Sequence, residues 1–154
     1  MIRRKAWALI GNRHGGGAAE FAIILPMVSA MIMGALDFSH AWTMRLELEQ
    51  AAQAGIEQAS VRKGVASNYD FALTTATTRW GKPLYSSQLT TWLECNGVVQ
   101  SNPNAVCSGL MRARYVSIRL RAEYMPKMNF GGLISGDGPN GGFVVLGDAA
   151  VRVQ

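Results

Sequence analysis

From Phe21 to Leu36 the chain carries no charged side chain and one clearly polar residue, Ser29. Extended to Ala18 and Trp42 the run covers 25 residues, interrupted by Glu20, Asp37 and His40. A helix needs about 20 apolar residues to cross a hydrocarbon core. The pattern therefore predicts a membrane-spanning helix with charges at both borders. Pro26 lies inside it. Its missing N–H and its ring predict a kink or a loosened turn at that point, which membrane helices tolerate where neighbours compensate.

Beyond Trp42 the helical period continues but the apolar face narrows. Leu48, Ala51, Ala52, Gly55, Ile56 and Ala59 fall on one stripe, with Glu47, Gln50, Glu57 and Gln58 elsewhere around the helix. The stripe is mostly small residues, which lets a partner helix or sheet approach closely. Arg62 and Lys63 suit a helix C-terminus and Gly64 suits its cap. One helix from Ala18 to Lys63 would be about 69 Å long at about 1.5 Å per residue. A domain of this size needs no such helix for its own core, so the pattern reads as a shaft carrying a head.

After Gly64 the pattern changes again. Ser67 or Asn68 is placed to cap a short helix reaching Thr78, ended by Gly81-Lys82-Pro83. Ser87–Cys95 reads as a strand, and Asn96–Gly109 as a polar loop. Arg114–Tyr124 alternates well: Val116, Ile118, Leu120, Ala122 and Tyr124 on one side, Tyr115, Ser117, Arg119, Arg121 and Glu123 on the other. Residues 125–142 read as a connection, and Phe143–Val153 as a last strand with a bulge at Gly147-Asp148. The expectation is an α+β fold. A long N-terminal helix carries a small head with an antiparallel three-stranded β-sheet.

Charge sharpens the topology. The formal charge is +5, but Arg3, Arg4, Lys5 and Arg13 all precede the apolar run. Without residues 1–15 the chain has 11 basic and 10 acidic side chains, a balance of +1. The basicity is thus an orientation signal, with the N-terminus cytoplasmic and everything after Trp42 outside. No basic face remains for nucleic acid. Trp7 and Trp42 suit interfacial anchors, while Trp80 and Trp92 suit the head. Cys95 and Cys107, an even pair on the outer side, read as a disulfide. Two free thiols in an apolar core are the alternative, and a zinc pair is disfavoured because His14 and His40 lie elsewhere in the chain. Gly136–Gly142 has too few acidic ligands for a calcium loop and reads as a turn. No nucleophile, phosphate loop or metal-hydrolase motif occurs, so no enzyme and no cofactor are expected.

Glu20 is the unusual residue. A charge at the end of a membrane helix is expensive. It either marks the border, its carboxylate reaching water, or it meets a positive group on a neighbouring chain. The glycines precede the apolar run, whereas a secretory signal places its small-residue cleavage site after it. That order suggests processing on the cytoplasmic side. Cleavage after Gly15 would free an amine at Gly16 and make Glu20 the fifth residue of the mature chain.

Here the sequence resembles a known family. A glycine, four residues and then Glu20-Phe21, at the head of an apolar helix, is similar to the prepilin signal of type IV pilins. The variant Glu20-Phe21-Ala22 followed by Leu25-Pro26 resembles the TadE-like family of tight-adherence (Flp, type IVc) pilus systems. Asp37-Phe38-Ser39 is similar to the acidic-aromatic-small triplet that closes the membrane helix in that family. Ala51-Ala52-Gln53-Ala54-Gly55-Ile56-Glu57-Gln58-Ala59 is similar to its Ala-Ala-x-x-Gly-x-x-x-Ala run. The resemblance covers residues 11–61 and, beyond residue 64, is architectural. It implies a type IV pilin-like fold, a cut between Gly15 and Gly16 by a membrane prepilin peptidase, and an assembly role for Glu20 and Phe21. It also implies a minor pilin or pseudopilin whose partners are other pilins and the inner-membrane assembly platform.

The expected organisation is then a leader at 1–15, a membrane helix at 16–42, its continuation at 43–64 and a periplasmic head at 65–154. Two other readings compete with it. One is an uncleaved, single-span binding module. The other is a soluble domain released by cleavage near Asp37.

Overall fold

A computed structural model describes residues 16–62, 68–109, 111–128 and 136–153. The expected leader, with Trp7, His14 and Gly15, lies outside the described residues, as do Lys63, Gly64 and Ser67. By contacts the chain divides into two units, Met1–Phe38 and Ser39–Gln154. Helix α1, Gly16–Val61, contributes to both. It is assigned as helix through Pro26, whose nitrogen has no hydrogen to donate to the preceding turn.

The second unit packs the later part of α1 and a short helix, α2 (Asp70–Trp80), on an antiparallel sheet. Asn68 Oδ1 accepts from the Asp70 amide at 3.1 Å at the start of α2. Gly81 ends it in the left-handed region at φ 65°, its amide donating to the Thr77 carbonyl at 3.0 Å. This is the break expected at Gly81-Lys82-Pro83, and the helix reaches Trp80, two residues beyond the expected end at Thr78.

Among the described residues the sheet has four strands, not three: β1 (Ser86–Cys95), β2 (Val98–Gln100), β3 (Arg112–Tyr124) and β4 (Phe143–Arg152), in the order β2-β1-β3-β4. The added strand lies in the segment expected to be loop. Asn96 and Gly97, at φ 52° and 82°, form the two-residue turn that folds β2 back on β1. Positive φ at both central residues matches the twist of a hairpin, and Asn-Gly favours it. The expected bulge at Gly147-Asp148 is also corrected: β4 pairs in unbroken register, with Leu120 opposite Gly147 and Arg119 opposite Asp148.

One face of the sheet is covered. Val116, Ile118, Leu120 and Ala122 of β3 are fully buried against Leu48, Ala51, Ala52 and Ala59 of α1 and Ala72 and Ala76 of α2. Trp80 joins this core. Trp92 instead stands on the other face, stacked on its cross-strand partner Tyr115 with ring centroids 5.1 Å apart. Cys95 and Cys107 form a disulfide with Cα atoms 5.6 Å apart. Closing a loop of this length stabilises by roughly 3 kcal/mol in the chain-entropy model. The tethered loop also carries the Pro103 carbonyl, which accepts from Nη2 of the buried Arg114 at 3.2 Å.

The connection before β4 is organised by one carboxylate. Glu123 Oε1 accepts from the amides of Asn140 at 2.9 Å and Gly142 at 2.8 Å, and Oε2 from Asn140 Nδ2 at 2.7 Å. A Cβ on Gly138 would collide with Glu123 Oε1, so the turn closes tightly over the side chain. Amide donors point inward here, the reverse of what a bound cation needs. Desolvation raises the Glu123 pKa, but the hydrogen bonds from Asn140 and Gly142 outweigh it and hold the carboxyl below its usual range. A depressed folded-state pKa stabilises above the unfolded value, and the contribution is lost as pH falls through the folded value. Amide exchange at Asn140 and Gly142 is therefore expected to stay slow at neutral pH and to accelerate relative to β3 as pH falls through the depressed Glu123 value. Glu123→Gln should give the fast exchange at every pH.

Candidate membrane and assembly site

Charge placement on α1 defines the candidate site. Every residue from Glu20 to Leu36 is exposed. Phe21, Ile23 and Met31 leave 66%, 72% and 75% of their surface uncovered. Successive helical residues are turned by about 100°, so Ile23, Ile24 and Leu25 point in three directions and the surface is apolar all round. A helix of that kind is stable in lipid or among similar helices. α1 is the described helix long and apolar enough to cross a membrane.

Glu20 stands exposed at the head of this surface, directly before Phe21. Gly16 is the first residue of α1, one helical turn earlier. Gly15, the other half of the expected scissile bond, lies outside the described residues. At the far border Asp37 is half-exposed and His40 exposed.

The small-residue stripe admits close approach by neighbouring elements. Ala51, Ala52, Gly55 and Ala59 are all buried within the second unit. A Cβ on Gly55 would lie 2.5 Å from the Ala72 carbonyl oxygen and 2.7 Å from Ile118 Cδ1. The close approach is to the chain's own α2 and β3. Gly147 works the same way from the sheet side: a Cβ there would lie 2.5 Å from the Leu48 carbonyl carbon. Glycine in a strand signals either a bulge or a close backbone approach. The sequence carries that signal but cannot choose between the two meanings.

An all-round apolar helix joined in sequence to an α+β unit is the build of a single-pass membrane protein. Residues 15–56 match the family model described as TadE-like protein. The match runs from Gly15 through Glu20, the apolar run and the Ala51–Ile56 stripe, and ends before α2 and the sheet. No curated protein matches the chain, and no solved structure does.

Proposed function

We propose that the protein is a TadE-like minor pilin or pseudopilin that takes part in assembling a tight-adherence pilus. It is inserted in the inner membrane with its N-terminus cytoplasmic and the second unit periplasmic. Prepilin peptidase cuts between Gly15 and Gly16. Glu20 then neutralises the new amine of a neighbouring pilin while the apolar helices bundle on the assembly platform. The observation that carries this reading is the position of Glu20: a carboxylate at the head of a wholly exposed apolar surface, inside the segment that matches the family. Two charges drawn together in a low-dielectric setting attract far more than in water. The protein's role is structural, with no cofactor.

Intact mass of the protein isolated from native membranes tests the proposal. A chain beginning at Gly16 is the expected result. A chain beginning at Met1 would instead mean an uncleaved membrane anchor, and one beginning near Asp37 a released soluble domain.

A further inference from the structure

One end of the second unit carries exposed apolar side chains beyond those of the spanning run. Two contacts fix its direction. Gly55 lies against Ile118, whereas Gly147, paired with Leu120, lies against Leu48 and Glu49. Rising numbers along β3 therefore run toward Ser39, where this unit begins. Lys82 Nζ, 2.6 Å from Glu47 Oε2, ties the chain before β1 to α1 beside Leu48. Phe143 lies four residues past Gly147 along β4, roughly 13 Å at about 3.3 Å per residue. That distance equals about nine helical residues at about 1.5 Å each, which reaches back to Ser39.

At this end Tyr85, Met125 and Phe143 are 53%, 56% and 37% exposed. A cleft of about 420 Å³ opens there, its apolar lining of Pro83, Leu84, Tyr85, Met125 and Pro139 joined by Glu123 and Asn140. Trp42 and Leu46, one turn apart on α1, are exposed as well. The charged side chains nearby balance in number, Lys82, Arg45, Arg121 and Lys127 against Glu47, Glu49, Glu123 and Asp137, with Lys82–Glu47 and Arg45–Glu49 in ion pairs. What remains is an apolar, charge-balanced surface bearing the aromatic types that favour the membrane–water boundary.

We propose that this end of the second unit docks on the lipid bilayer, with Tyr85, Met125 and Phe143 entering the boundary between headgroups and acyl chains. Lipid is the occupant because α1 enters this unit at Ser39, directly after its apolar run, so this end meets the bilayer border first. The balanced charge argues for burial of apolar surface rather than attraction to an acidic partner. The inference rests on reading the start of α1 as a membrane span.

The test uses the full chain in phosphatidylcholine vesicles that contain a phospholipid with a photoreactive group near its headgroup. Mass spectrometry then maps the lipid adducts. Adducts are expected at Tyr85 and Met125 as well as along residues 21–36. They should be absent at Val98, Val99 and Val106, which are exposed but lie at the other end of the sheet. In the double variant Tyr85→Ser/Met125→Ser the adducts at this end are lost and those on α1 persist. Labelling of α1 without Tyr85 and Met125 overturns the docking and leaves the span intact. Absence of label on α1 overturns both. Equal labelling at Val98–Val106 overturns the docking, as does a photoreactive residue at position 85 that captures a second copy of the chain instead of lipid.

Discussion

Gly147→Val lowers the thermal midpoint of the second unit by more than about 10 °C, measured by circular dichroism on the full chain in micelles. Strand propensity alone predicts the opposite sign, since valine at an ordinary strand position is favoured over glycine by up to about 1 kcal/mol. The helix reverses it. A Cβ at this position would meet the Leu48 carbonyl carbon at 2.5 Å and the Glu49 nitrogen at 2.6 Å, both backbone atoms that no rotamer change can move. Separating α1 from β4 opens the core at Leu48 and Leu120, and overpacking of this kind costs about 1–3 kcal/mol or more. For a domain of this size about 2–3 kcal/mol is worth about 10 °C or more. Gly147 is not among the positive-φ glycines, so the effect is contact rather than backbone strain. Gly55→Leu should behave alike, because the Ala72 carbonyl blocks the added atoms. Gly34→Ala is the control. It stands in the exposed apolar run with open space around it, and the midpoint of the second unit should not move.

The parts of the fold that repeat locally could be read from the chain. The 25-residue apolar run, the stripe from Leu48 to Ala59 and the alternation in β3 each carry many residues of one period, and all three became the expected elements. Each miss has its own physical cause. β2 is three residues long, too short for any period, and its signal was the turn before it, Asn96-Gly97. Gly147 sent a true signal with two meanings, and the contact that decides between them comes from a helix about a hundred residues away in sequence. The Glu123 turn joins residues 17 and 19 apart through one carboxylate, and no spacing rule connects them. The candidate assembly site was legible for the opposite reason: a single charge in an apolar run is conspicuous without any tertiary knowledge.

Glu20→Ala is expected to leave synthesis, membrane insertion and processing intact while abolishing entry into the filament. The carboxylate lies outside the second unit, so nothing in that fold depends on it. The partner it lacks among the described residues it would meet at assembly, as the ammonium of a neighbour's Gly16 leaves water. Removing one member of a buried ion pair costs about 3–5 kcal/mol, because the remaining charge stays uncompensated. At about 1.4 kcal/mol per tenfold, incorporation should fall by about a hundredfold or more, read as this chain's share of sheared, purified pili. Glu20→Gln, which keeps the size and loses the charge, should fail equally. The uncleaved variant Gly15→Val should fail as well, since its amide at Gly16 carries no positive charge. Combining Glu20→Ala with Gly15→Val should do no further harm, as expected when two changes remove the same interaction. Wild-type incorporation of the Glu20→Ala chain would eliminate the charge-pairing step, and additive losses in the double variant would show that the two residues act separately.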